Sequence, residues 1–227
     1  MIKKIFISIL YLFIIPHAFC QWIKDFSGKP YRIMNENDIQ GSPFLFEDWR
    51  LAKIKLKTLG EFDNIKVRFS TYNNRFYYNQ NDSLYEFTDD IEEVRLKNYE
   101  HLNESGYDLV FRKDIVAGDK VLPGTFVQVL CNGTITVIKY YSGKIVQNTE
   151  SSTYGSEGTT KKFVTTNVVL AITKKGIQNI QYSLKNLQLL TYDKWEEINN
   201  FIKSKNLNVK KEMGFTVAIV YYNLLSP

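Results

Sequence analysis

Val127-Gln128-Val129-Leu130-Cys131, Asn132-Gly133, Thr134-Ile135-Thr136-Val137-Ile138 is the stretch that decides the fold. β-Branched and apolar residues flank an Asn-Gly pair, which readily supplies the two positive-φ residues of a two-residue type I′ turn. The stretch predicts an antiparallel β-hairpin.

The same grammar holds on both sides of it. Ile54 and Leu56 alternate with Lys53, Lys55 and Lys57, and Ile65, Val67 and Phe69 alternate with Lys66, Arg68 and Ser70. A period of two is that of a strand with one face in water. Asn73-Asn74 and Asn81-Asp82-Ser83 interrupt the runs as turns, with Arg75–Tyr78 and Leu84–Phe87 as the returning strands. Asn148–Lys162, rich in Ser, Thr, Gly and Glu around a single Tyr154, reads as a mobile loop or a long hairpin tip. Phe163–Thr173 and Ile177–Tyr182 are two further strands around Lys174-Lys175-Gly176.

Beyond Tyr182 the period lengthens. Tyr192, Trp195, Ile198 and Ile202 recur at three- and four-residue steps, which stacks them on one helix face. Thr191 is placed to cap that helix; Asp193, Glu196 and Glu197 lie early and Lys203 and Lys205 late, as the helix dipole favours. Ser183–Leu190 reads as a short helix before it. Met213, Val217, Val220 and Leu224 fit a last helix, although the β-branched character of 215–222 also suits a strand. The fold class that follows is α+β, a mainly antiparallel sheet followed by C-terminal helices. Residues 21–227 read as one such domain, strand-rich over 40–182 and helical over 183–225.

Residues 1–20 read as a secretory signal. Lys3 and Lys4 open it, Ile5–Ile15 is apolar but for Ser8, and Ala18-Phe19-Cys20 offers a small-x-small cleavage site before Gln21. The apolar run is too short for a membrane span, which takes roughly 20 such residues. A competing reading makes Cys20 a lipid-attachment cysteine, but His17 and Phe19 stand where that motif wants a Leu-like and a small residue. The expected location is exported: periplasmic, outer-surface or secreted.

The whole chain has 227 residues, 44% of them hydrophobic, which excludes wholesale disorder. Removing residues 1–20 takes two lysines and no acids, lowering the formal charge from +5 to +3. The basic residues are scattered, so no nucleic-acid footprint is visible. One cysteine, Cys131, is left without an intramolecular partner, and its apolar strand predicts a buried, inert thiol.

At Gly41-Ser42-Pro43-Phe44-Leu45, Val67-Arg68-Phe69-Ser70-Thr71-Tyr72 and Val220-Tyr221-Tyr222-Asn223 the chain resembles a group of uncharacterised exported proteins of Bacteroidetes-type bacteria. The resemblance implies a signal peptide, a β-rich body and a helical tail. It carries no catalytic residue across.

Catalytic residue types are scarce. His101 is the one histidine after residue 20, and no nucleophile motif such as G-x-S-x-G accompanies it, so it reads as a solvated loop residue. No zinc-ligand spacing occurs, and Gly118…Gly124 lacks the Lys-Ser/Thr end of a phosphate loop. No cofactor and no metal is expected. Asp89, Asp90, Glu92 and Glu93 form the densest acidic cluster and are the suspects if the protein is an enzyme, since a glycoside hydrolase needs only two placed carboxylates. Asn79, Asn81 and Asp82 with Asp89-Asp90 could gather calcium, but the spacing is not that of an EF-hand loop. A charged turn with solvated faces is the preferred reading of the acids.

Aromatic residues make up 15% of the chain. Tyr72, Phe76, Tyr77, Tyr78, Tyr85 and Tyr154 are the candidate binding residues, because exposed rings on a sheet stack sugars or dock partner chains. Core packing competes for the same residues, since aromatics favour strands. The expected function is a non-enzymatic envelope or secreted protein that binds a protein or polysaccharide through its surface. The alternatives are a carboxylate-dependent exported hydrolase and a lipid-tethered envelope assembly factor.

Overall fold

Alternation sets β3 (Arg50–Leu56): Ala52, Ile54 and Leu56 are buried while Lys53 and Lys55 face water. Its hairpin partner β4 (Gly60–Ser70) is longer, and Asn64 takes a left-handed conformation at φ 59° where the register slips between Ala52 and Ile54. Asparagine tolerates that region better than most residues, so the irregularity falls where the sequence allows it. The computed structural model describes residues 28–30, 39–81, 83–97, 108–113, 115–117, 120–121, 124–151 and 157–226. The expected signal segment, Cys20, Asp82, His101 and Tyr154 lie outside these residues.

The remaining strands are β1 (Gly28–Pro30), β2 (Ile39–Gln40), β5 (Arg75–Gln80), β6 (Ser83–Phe87), β7 (Ile91–Leu96), β8 (Leu109–Arg112), β9 (Val116–Ala117), β10 (Lys120–Val121), β11 (Val127–Cys131), β12 (Thr136–Ser151), β13 (Glu157–Thr173) and β14 (Gly176–Ile180). Twelve of the described strands form one sheet in the order β1-β6-β5-β4-β3-β7-β8-β11-β12-β13-β14, with β2 beside β13; β9 and β10 pair separately. All pairings are antiparallel except β2 with β13. The α+β reading holds.

The sheet is rolled, and chain length requires it. Three residues join Phe87 to Ile91, a reach of about 14 Å at most. Yet β6 and β7 stand four strand spacings apart in the sheet order, about 19 Å if it were flat. Rolling brings Phe69 of β4 to 5.1 Å from Phe111 of β8, and Phe76 of β5 to 5.0 Å from Phe126 ahead of β11. These rings fill the interior with Ile54, Leu56, Val67, Tyr78, Val94 and Leu96.

One face of the long β12–β13 hairpin carries both halves of the molecule. At its outer end Gly143 donates its N–H to Thr71 O (2.8 Å), and the Thr71 and Thr165 hydroxyls meet at 2.8 Å. Midway, Tyr141 enters the rolled core. At the inner end Val137, Val169 and Ala171 form the floor on which the helices pack. The Asn148–Lys162 segment is thus largely hairpin, paired from Asn148↔Thr160 out to Ser151↔Glu157.

The helices are α1 (Leu184–Leu190), a 3₁₀ turn (Tyr192–Lys194), α2 (Trp195–Ser204) and α3 (Glu212–Leu225). Ser183 caps α1 by accepting from Asn186 N. Thr191 does not cap α2: it is fully buried, and its hydroxyl donates to Leu187 O at 2.9 Å. Ile198 and Ile202 are buried as their spacing predicts, whereas Tyr192 is exposed because the 3₁₀ turn rotates it off the face. The 213–224 segment is helical, but the stripe Met213, Val220 and Leu224 faces solvent; the core takes Phe215, Ala218, Ile219 and Tyr222. α3 is apolar on opposite sides, so either stripe fits a helical period.

The β11–β12 hairpin forms with a different turn from the one expected. Cys131 pairs with Val137, four residues (132–135) make the connection, and neither Asn132 nor Gly133 has positive φ. The turn is shaped by α3. The Asn223 amide receives Ile135 N and donates to Ile135 O, both at 2.8 Å, and a Cβ on Gly133 would lie 2.6 Å from Asn223.

Candidate functional site

Where the rolled sheet fails to close, a cleft of about 300 Å³ opens. Arg75 and Phe76 on β5 and Glu86 and Phe87 on β6 line one wall; Asp89, Ile91, Lys113 and Phe126 line the other. Asn74 ties the walls together. It sits in the left-handed region at φ 56°, its amide donates to Phe126 O (3.0 Å), and its Oδ1 receives Phe126 N (2.6 Å). Such a pair mimics the two backbone bonds of a strand pairing where no strand pairs.

Charge on the rim is held in place. Arg75 forms an ion pair with Glu86, and Lys113 Nζ binds Asp90 at 2.7 Å while lying 4.7 Å from the centre of the Phe126 ring. Phe76 and Phe126 are buried beneath, so the cleft offers donors and acceptors above an aromatic floor. Fixed polar groups over an apolar base are the usual make-up of a small-ligand site.

The four suspect acids do not converge. Asp89 Oδ2 accepts from Thr58 Oγ1 (2.7 Å), Thr58 N and Leu59 N, and Oδ1 accepts from Asp90 N, so this carboxylate caps the β3–β4 turn. The Thr58 hydroxyl above all holds it below the usual carboxylate range. Glu92 pairs with Lys55 at 2.7 Å. Burial pushes the Glu93 carboxyl up, but Arg112 and Arg95 outweigh it and the net direction is down. Among the described residues, no three His, Cys, Asp or Glu side chains gather as metal ligands. Nor is any described helix long and apolar enough to cross a membrane.

The candidate aromatic residues divide by burial. Phe76, Tyr77 and Tyr78 are all buried, so both faces of β5 are covered, and Tyr85 is half-buried against Tyr78. A period of two puts Tyr77 on the face of β5 opposite Phe76 and Tyr78, and that face is roofed by Phe44, edge-on to Tyr77 at 6.2 Å. Tyr72 is exposed, against Phe163. Of the described candidates only Phe76 and Asp89 line the cleft. Arg75, Glu86, Lys113 and Phe126 had no signal in the sequence, because they meet only through the rolling of the sheet. Cys131 is buried as expected, and burial pushes its thiol up to about 11.

No family model, no curated protein and no solved structure matches the chain.

Proposed function

We propose that the chain is an exported envelope or secreted protein that works by binding, and that the cleft between β5–β6 and the Lys113–Phe126 side receives a hydroxyl-rich ligand such as a polysaccharide end. The observation that carries this reading is the rim itself. Arg75 and Lys113 offer donors, Glu86 and Asp89 offer acceptors, and their neighbours hold each in place above Phe76 and Phe126. Sugar hydroxyls both donate and accept, so they match a rim of mixed sign. Export is proposed on Lys3, Lys4, the Ile5–Ile15 run and Ala18-Phe19-Cys20.

The hydrolase alternative has less support. A glycosidase needs one carboxylic acid with a raised pKa to protonate the leaving group. Asp89 and Glu93 are shifted the other way, and Asp90 and Glu92 are held by lysines.

The test is a glycan microarray followed by titration calorimetry with the purified mature chain. The expected result is a bound saccharide whose affinity falls at least tenfold in both Glu86→Gln and Lys113→Met. An array without any binder, or a binder indifferent to both substitutions, removes the cleft from consideration. Mass spectrometry of the mature N-terminus decides the export step: Gln21 at the start supports it, acylated Cys20 supports the tethered form, and an intact Met1 overturns it.

A further inference from the structure

We propose that Arg50 anchors a second binding site, one that takes an oxyanion (a carboxylate or a phosphate), at the start of β3. Arg50 lies on the inner face of the rolled sheet, opposite Val67 and on the side of Ala52 and Ile54. Only 8% of it is exposed. Its Nε is buried with no hydrogen-bond partner. Among the described residues its two terminal nitrogens have no hydrogen-bond partner either, and they are not among the buried unpartnered atoms. The side chain is therefore packed to its fork, and the fork is open at the tip.

Nothing in the described chain neutralises that charge. The eight ion pairs among the described residues all lie elsewhere. Glu47 and Asp48 stand just before it in sequence, yet both point into solvent and neither bonds to it. A guanidinium cannot shed its proton to escape burial, as a lysine or histidine can. The Phe46 ring, 4.6 Å from the guanidinium carbon, offers partial compensation through its π-face. A buried charge without a counter-ion is rare and asks for a partner.

The chemistry of the missing partner follows from the fork. A planar guanidinium presents parallel N–H bonds in its plane, the geometry that binds carboxylate or phosphate in a bidentate manner. Arg68 makes the contrast clear. Its Nε is likewise buried without a partner, but the residue as a whole is only half-buried and its guanidinium lies by two rings, Phe44 (5.3 Å) and Trp49 (4.8 Å), where Arg50 has one. The Arg50 site is separate from the cleft, whose lining does not include it.

The experiment is thermal unfolding of the purified mature chain at pH 7 in acetate, D-glucuronate or inorganic phosphate, with ionic strength matched by sodium chloride. An occupied site at a hundredfold excess over Kd raises the midpoint by about 5–10 °C. Phosphate also stabilises proteins without binding, so the comparison is between variants. The expected result is an oxyanion-dependent rise in the wild type, kept in Arg68→Met and lost in Arg50→Met. If Arg50→Met does not fold, Arg50→Lys keeps charge and stem but loses the fork, and should bind at least tenfold more weakly. The proposal is overturned if no oxyanion at 100-fold excess over a millimolar Kd shifts the wild type beyond chloride, or if an Arg50 variant responds as the wild type does. Glucuronate stronger than acetate marks a saccharide acid as the source; phosphate strongest marks a phosphate ester.

Discussion

Asn223, near the end of α3, bonds Ile135 through both ends of its amide: Ile135 N donates to Oδ1 and Nδ2 donates to Ile135 O, each at 2.8 Å. The helix thus completes the β11–β12 turn as a neighbouring strand would. Asn223→Ala leaves two backbone groups of a half-buried turn without partners. It should cost about 1–3 kcal/mol, read as a lower urea midpoint at unchanged m-value. A midpoint within error of wild type would show that water replaces the amide freely.

Gly143 approaches the β4–β5 turn so closely that a Cβ would stand 2.6 Å from Thr71 Oγ1 and 2.8 Å from Tyr72 N. The second of these is backbone and cannot rotate away. Gly143→Ala should therefore destabilise by about 1–3 kcal/mol, the range for forced overpacking. Hydrogen exchange should rise at residues 71–74 rather than around the helices. Faster exchange at α3 instead would mean that the hairpin does not carry both halves.

Alternation was sufficient to find β3, because one of its faces meets the core and the other meets water. It is not sufficient at β5, where Phe44 roofs the second face and period-two reading has no way to see a covering loop. The covering is built from segments singled out in the sequence: Leu45 N donates to Phe69 O and Thr71 N to Pro43 O, both at 2.9 Å. Asn132-Gly133 marked a turn correctly, but its shape depends on a helix residue some 90 positions later. The cleft was the least legible part. Its walls are Arg75 and Glu86 on one side and Lys113 and Phe126 on the other, brought together by the short β6–β7 link and by Asn74 bonding Phe126.

Asp89 makes stability depend on acid. Its folded pKa lies below the unfolded value of about 3.9, so its contribution is fully present above about pH 5 and is lost as pH falls through the depressed folded value. Asp89→Asn should unfold at a lower temperature than wild type at pH 6, with the gap narrowing as the pH is lowered below about 4. A gap that stays constant over that range would assign the loss to shape alone.

Cys131, buried under the helices with its thiol pushed up to about 11, should be inert in the native protein. At pH 8 about one thiol in a thousand is ionised for such a value, and access is closed as well. Ellman's reagent should find no reactive thiol until denaturant is added, and then find one per mature chain. Prompt labelling in buffer would show that the floor beneath α3 opens readily.

Tyr77 and Tyr72 lie five residues apart and should behave as opposites. Tyr77 is fully buried, edge-on to Phe44, with its hydroxyl receiving the Asn73 amide. Tyr72 is 46% exposed and touches Phe163 with one edge. Tyr77→Ala removes a core ring and should cost about 3–5 kcal/mol, a drop of about 10 °C or more for a domain of this size. Tyr72→Ala loses one ring contact, about 1 kcal/mol, and should unfold within a few degrees of wild type. If the two midpoints coincide and ligand binding is lost in Tyr77→Ala, the outer face of β5 is a working surface and its Phe44 roof lifts in solution.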